Sequence, residues 1–425
     1  MGIFTGIVGI VVFLVIAFVM SNNKTKINYK TVGVGLLLQI LLAVFILKVP
    51  LGVKIFAFIA KVINQILSSS MKGAEFVFGW LCGPKSETII APPDNFIYAI
   101  MLIGTMVLIM SLVNILYYYG IMQRVISILG KIMSKLMDVS GAEALSNCAS
   151  PFVGNVAAQS MIKPYLPNLT RSELLASMSG STACLSGGCL AMYAALGVPL
   201  DYLLAASVMA APGAFVISKI VYPEVEIPQT KDNFKISKRK TDANVLAAIS
   251  KGAADGMKVS INIIAMLIAL VALIAFCNAV LAKFGLFLFN TCGLDWSGIG
   301  IDLRNLSIQT LVGKVFSVFA AVMGATLGNI EQVGTLIGEK FILNECIGYI
   351  DMLQMENLTP KSIAIATFAL AGFANLSTVA IQIGGIGELA PNQRKNLARL
   401  SIKALICGTL TSYVSACIAG IVVSL

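Results

Sequence analysis

A carboxylate stands inside an apolar run at Glu345, directly after Asn344. Further along, Asn375 and Thr378 stand three residues apart in the centre of another apolar stretch, Gly372-Phe373-Ala374-Asn375-Leu376-Ser377-Thr378. An ionised Glu only accepts hydrogen bonds, so Glu345 suits the hydroxyls of a polar solute or a coupling ion. Residues three apart share a helix face, so Asn375 and Thr378 present an amide and a hydroxyl together. Ionisable groups at membrane depth are costly and mark function. Blander roles exist for each: Glu345 paired with a lysine such as Lys314, Asn375 and Thr378 bonding between helices, and Phe373 packing rather than stacking on a ring.

The composition says what must position these groups. The chain has 425 residues, 58% hydrophobic and 12% charged, with mean hydropathy +0.90. Soluble domains carry about 25% charged residues, so the chain reads as an all-α polytopic membrane protein. The net charge of +10 comes from Lys and Arg clustered between apolar runs. That pattern marks cytoplasmic loops rather than a nucleic-acid surface. The absence of His excludes His catalysis, His metal ligation and His proton relays. Nine Cys without a CxxC pair read as small buried hydrophobes. There is no phosphate-cradling Gly-x-x-x-x-Gly-Lys-Ser/Thr loop and no Ser-His-Asp set, which argues against an enzyme and implies no cofactor.

In chain order, Ile3–Met20 and Thr31–Val49 read as spans, with Lys24, Lys26 and Lys30 between them on the cytoplasmic side. Met1–Met20 lacks a basic n-region and a cleavage site, so it is retained as a helix. Leu51–Leu67 reads as interfacial, Leu81–Asp94 as a Pro-rich outer loop, and Phe96–Tyr118 as a span. Gly120–Val139 is amphipathic. Ala142–Ile162, interrupted by Pro151 and Gly154, predicts a re-entrant hairpin, because broken backbone at depth must be buried in protein or line a cavity. Leu174–Leu196 and Tyr202–Val221 are spans. The basic run containing Lys231, Lys235, Lys238, Arg239 and Lys240 is a solvated cytoplasmic loop. Val259–Leu281 is a span and Phe284–Leu303 an outer connection. Val312–Ala325 and Gly334–Ile350 predict a second hairpin around Gly324–Gly328. Leu358–Gly385 crosses, Asn392–Lys403 is a basic loop, and Leu405–Leu425 crosses last.

The order hairpin, broken helix, helix thus occurs twice, entered from opposite sides. Leu169-Thr170 and Leu358-Thr359 precede the two broken helices, and Ala183–Ser186 pairs with Ala374–Ser377. Inverted repeats with broken helices point to a secondary transporter with a midplane site. The predicted organisation is scaffold and interfacial helices over 1–141, a first repeat over 142–221, a loop, scaffold helix and outer connection over 222–306, and a second repeat over 307–425. In total it predicts about eight transmembrane helices plus two re-entrant hairpins.

The chain resembles the concentrative nucleoside transporter family along nearly its whole length. The resemblance is carried by Ile162-Lys163-Pro164-Tyr165, Leu203-Leu204-Ala205-Ala206-Ser207-Val208-Met209, Leu343-Asn344-Glu345 and Gly372–Ile381. It implies a multi-pass cell-membrane protein, a homotrimer, an elevator-type moving domain, and a nucleoside held at the hairpin tips. By the same resemblance, Glu345, Asn375 and Thr378 meet the ribose, with Thr in place of the family's Ser. Typical members read Gly-Gln-Thr-Glu-Ala-Pro in the first hairpin. This chain reads Gly154-Asn155-Val156-Ala157-Ala158-Gln159. The resemblance makes Gly154, Asn155, Val156, Ala157, Gln159, Cys189 and Phe373 the remaining lining of the substrate site. The family's sodium positions map to Ser150 and Cys184 side chains, where the family has Asn and Ser, with Val153 and Leu185 carbonyls. A thiol is a poor ligand for a hard cation.

The expectation is therefore an importer of a nucleoside or nucleoside-like ribosyl compound, coupled to protons rather than sodium, taking a purine or modified base, with Glu345 the carboxylate that titrates. The contrasting expectation, drawn from the altered first hairpin, is a nucleoside-binding membrane receptor without net transport.

Overall fold

The computed structural model describes residues 2–81, 97–231, 243–293, 296 and 302–425. The expected loop with Pro84, Pro92 and Pro93 lies outside the described residues, as do Lys235, Lys238, Arg239 and Lys240. Every regular element among the described residues is a helix. The first group comprises α1 (Gly2–Val19), α2 (Tyr29–Leu47), α3 (Pro50–Phe78) and α4 (Tyr98–Tyr118). Next come α5 (Ile121–Met137), α6 (Gly141–Val153), α7 (Asn155–Met161), α8 (Arg171–Ala183), α9 (Gly187–Leu196) and α10 (Leu200–Val221). After α11 (Val245–Asn290) follow α12 (Ile308–Met323), α13 (Ile330–Ile342), α14 (Glu345–Gln354), α15 (Pro360–Leu370), α16 (Leu376–Leu389) and α17 (Arg394–Ser424).

Burial divides these helices. Of the apolar windows in the segment 171–196 and in α10, 89% of residues are buried, whereas α11 has 6% and α3 11%. The segment 171–196 and α10 belong to the core, whereas α11 and α3 turn their apolar side chains outward, as lipid-facing helices do. The long α11 is held to α4 by close backbone contact. A Cβ at Gly252 would meet the Met110 carbonyl at 2.6 Å, and one at Gly256 would meet that of Met106 at 2.6 Å. Small residues four apart permit this approach between membrane helices.

Capping residues cut the core helices where the site lies. Ser140 with Glu143, and Thr170 with Glu173, form capping boxes at the starts of α6 and α8. Ser186, Asn344, Thr359 and Asn375 cap α9, α14, α15 and α16 through side-chain oxygens. The caps Thr170 and Ser186 have the same spacing as Thr359 and Asn375, a constant offset of 189 residues that also relates Gly154 after α6 to Leu343 after α13. The register therefore pairs Ser186, not Cys184, with Asn375. At the centre the two broken helices cross. Gly372 adopts φ 146°, and a Cβ there would lie 2.9 Å from the carbonyls of both Thr182 and Ala183. Only glycine admits this combination of dihedral and contact.

Several sequence-based expectations need correction. The second hairpin is not formed by Val312–Ala325 and Gly334–Ile350. Its arms are α13 and α14, turning at Leu343-Asn344, while α12 is a separate helix that ends at Gly324. The glycines at 324–328 mark a helix end and a 3₁₀ turn, not a hairpin tip. The interfacial helix runs on to Phe78, and α11 extends to Asn290, so Phe284–Asn290 is helix rather than connection. The basic stretch Asn392–Lys403 is mostly the first turns of α17, and no loop separates it from the last span.

Candidate substrate site

Glu345 is the first residue of α14, set by the Asn344 cap, whose Oδ1 accepts from the Ile347 amide at 3.1 Å. It is 5% exposed. Its Oε1 accepts from the Tyr193 hydroxyl at 2.9 Å, and its Oε2 accepts from Asn375 Nδ2 at 3.2 Å. Asn375 in turn accepts, at its Oδ1, from the Thr378 amide at 3.0 Å, the Thr378 hydroxyl at 2.9 Å and the Ser377 hydroxyl at 2.7 Å. One amide therefore caps a half-helix and orients a carboxylate. The positive end of the α16 dipole faces the same place, which favours an anion or an electron-rich solute group.

Lys340, buried one turn before the hairpin tip, donates to the Ala369 carbonyl at 2.7 Å and acts electrostatically on Glu345. Lys314 does not partner Glu345; it pairs with Glu331 near the surface. The rings of Tyr193 and Tyr349 lie 4.6 Å apart, and Tyr349 donates to the Thr367 carbonyl at 3.0 Å. From the scaffold, the Tyr98 hydroxyl on α4 reaches Cys346 Sγ at 3.2 Å, next to Glu345. Sequence reasoning missed Tyr193, Lys340 and Tyr98. Lys340 carried the signal that singled out Glu345, a charge in an apolar run. Tyr193 lies one turn beyond Cys189 on α9, where a buried Tyr looks like core.

The first hairpin is arranged differently. Gly154 turns at φ 86° between α6 and α7. Asn155 Oδ1 accepts from Gln382 Nε2 of α16 at 3.3 Å. Val156 packs on Gly385 of α16. Ala157 is exposed and lines, with Val153 and Phe152, a cavity of about 1030 Å³ bounded across by Met106, Asn114 and Tyr117 of α4. Cys189 and Thr378 are buried, and Phe373 is half-buried. Gln159 is fully buried, and its amide is engaged internally. Its Nε2 donates to the Ser177 carbonyl at 3.1 Å and to Ser181 Oγ at 3.0 Å, and its Oε1 accepts from Ser177 Oγ at 2.7 Å. It braces hairpin against broken helix and offers nothing to a base. Glu345 and Asn375 are hydrogen-bonded to each other, while Ala157 lines the space beside α4.

Of the cation positions, Ser150, Cys184 and Leu185 are buried together, with Val153 half-buried. Ser150 Oγ donates to the Ser146 carbonyl at 2.9 Å and lies 3.3 Å from Ser181 Oγ, within reach of the Cys184 thiol. Of the two side chains only the Ser150 hydroxyl offers oxygen, beside the Val153 and Leu185 carbonyls, and the Cys184 thiol suits a hard cation poorly.

Comparison with known proteins places the chain. A family model described as Na+ dependent nucleoside transporter C-terminus matches residues 202–420, the corresponding N-terminal model matches 8–81, and a model described as nucleoside recognition matches 99–200. The chain is 36% identical to the nucleoside permease NupC of Helicobacter pylori, covering 99% of this chain and 97% of that one. It is 33% identical to sodium/nucleoside cotransporter 1 of Rattus norvegicus, over 97% of this chain and 63% of that protein. It superposes on CNTnw in an inward-facing substrate-bound state with TM-score 0.91 at 34% identity, covering 100% and 98% of the two chains. The chain belongs to the Na+ dependent nucleoside transporter family: it is a multi-pass membrane protein of a family of transporters, not of enzymes.

Proposed function

We propose, with that family membership as premise, that this chain imports a nucleoside or nucleoside-like ribosyl compound by alternating access, as a symporter in the cell membrane. The observation that carries the reading is the Glu345 carboxylate, buried at a half-helix start and bridged by Tyr193 and Asn375. A ribose offers adjacent hydroxyls, and a carboxylate with an amide beside it is the matching acceptor and donor set. Glu345, Asn375 and Thr378 hold the ribosyl half, with Phe373 and Cys189 beside them. Gly154, Asn155, Val156 and Ala157 face the base. Gln159 is withdrawn from that set.

The repeats are assigned to 142–221 and 307–425, with 1–141 and 222–306 outside them, and the constant spacing of caps supports the pairing. The moving unit is read as elevator-type, within a homotrimer assembled through the lipid-exposed scaffold helices. Proton coupling is favoured over sodium because Ser150 and Cys184 make a weak hard-cation site. The small apolar pair Val156 and Ala157 favours a purine or modified base, since an apolar pocket discriminates by size rather than by hydrogen bonding.

Counterflow of a labelled nucleoside in proteoliposomes tests the reading. Trans-stimulated uptake is expected. Saturable binding without counterflow would identify a receptor instead. Competition by uridine, cytidine, adenosine, guanosine and inosine ranks the base, and a strong preference for uridine over every purine would contradict the purine assignment. Uptake stimulated by an imposed sodium gradient at fixed pH and potential would contradict the coupling assignment.

A further inference from the structure

The second hairpin carries a carboxyl that the nucleoside site does not use. Glu339, in the last turn of α13, is 2% exposed, and neither of its oxygens accepts a hydrogen bond from a protein donor. The group it meets is another carboxyl, that of Asp351 on α14, within hydrogen-bonding reach. Asp351 is half-buried. Lys340, the next residue, turns to the Ala369 carbonyl of α15, and Lys314 of α12 is occupied by Glu331.

Two ionised carboxylates contain no hydrogen-bond donor, so this contact repels unless something positive lies between the oxygens. One proton suffices: a carboxylic acid on one partner donates to the carboxylate of the other, and the pair retains a single negative charge. Glu345 is in the opposite condition. Its carboxyl accepts from two protein donors, Tyr193 and Asn375, and has Lys340 nearby. The offset of 189 residues also sets Glu339 at the position that Ser150 holds in the first hairpin, so the corresponding helix end is acidic in one repeat and neutral in the other.

We propose that the Glu339–Asp351 pair is a proton site of the second hairpin, loaded on the outer side and emptied on the inner side as the nucleoside crosses. The half-buried Asp351 provides the route to water. Both sites sit on α14, where Glu345 and Asp351 are separated by about 9 Å of helix rise. Movement of the hairpin therefore carries both together. This rests on the transport reading above and replaces Glu345 with the acid pair as the coupling group.

The test uses proteoliposomes and the nucleoside that gives the strongest counterflow. Accumulation driven by an acid exterior, with the potential clamped, is compared with counterflow at equal pH. For one proton per solute, the wild type should accumulate about tenfold per pH unit. Glu339→Gln should keep counterflow and lose the pH-driven accumulation, and nucleoside addition should no longer move protons into the vesicle. If Glu339→Gln loses counterflow as well, Asp351→Asn, at the more exposed partner, decides on the same readouts. Counterflow with undiminished pH-driven accumulation in these variants overturns the proton site. So does accumulation that only a sodium gradient drives. Absence of counterflow in the wild type would instead overturn the transport reading.

Discussion

The two hairpins bring different chemistry to the same centre. In the first, the buried polar groups near the turn are neutral, and Ser146, Ser150, Gln159, Ser177 and Ser181 bond among themselves, while the buried acid at the far end of α6, Glu143, is paired with Lys219 at 2.7 Å. In the second, Glu339, Lys340 and Glu345 place three charges within two turns of one tip. A neutral network that satisfies itself stabilises the fold and presents little to a solute. A charged tip is held by few partners and must be completed by what it binds. Recognition and coupling are accordingly concentrated in the second hairpin, and the first supplies shape.

The contrast can be broken or sharpened by substitution. The largest effect is expected at Glu345. Glu345→Gln exchanges an acceptor-only carboxylate for a neutral amide and should weaken nucleoside binding by about 1.5–3 kcal/mol, the range for a bond to a charged group. Isothermal titration would record it, and an unchanged affinity would remove Glu345 from the site. Gln159→Ala should act on the fold instead. It strands Ser177 and Ser181 in a buried network and should cost about 1–3 kcal/mol of stability. Thermal unfolding should fall while the order of base preference stays the same; a reordered series would return Gln159 to the base contacts.

Ala157→Glu restores an acid to the first hairpin. If that wall faces the base, competition among the five nucleosides should reorder by about one hydrogen bond to a charged group, roughly 1.5 kcal/mol or tenfold. An unchanged order would show that Ala157 lines only the space beside α4. The smallest effect is expected from Tyr193→Phe. A ribose hydroxyl can replace the lost donor to Glu345, so affinity should change by no more than about 1 kcal/mol. The ligand-free protein should melt lower and gain more from added nucleoside. Equal loss in both states would make Tyr193 a packing residue only.

Much of this was legible in the sequence, for stated reasons. Glu345 and Asn375 were visible because polar side chains in apolar runs are costly without a use. The first hairpin was visible because Pro151 and Gly154 break a helix within one turn. The second was misplaced because its tip, Leu343-Asn344, contains neither Gly nor Pro, and the turn is made by an Asn cap instead. The glycines near 324 gave a stronger local signal for a feature that is only a helix end. Gln159 looked available because an amide in a loop motif reads the same whether it points to a ligand or to Ser177. That choice is made by α8 packing behind it, which no local pattern reports. Glu339 and Asp351 sit on different helices, and only the turn of the hairpin makes them neighbours.

The central claim is that the charged tip of the second hairpin recognises a ribosyl group. It is tested most directly by equilibrium binding of one nucleoside and its free base to the wild-type protein and to Glu345→Gln. The account predicts tight binding of the nucleoside and weak binding of the base to the wild type, with the difference collapsing in the Gln variant. Equal binding of nucleoside and base to the wild type, or a nucleoside preference that survives Glu345→Gln, would contradict it.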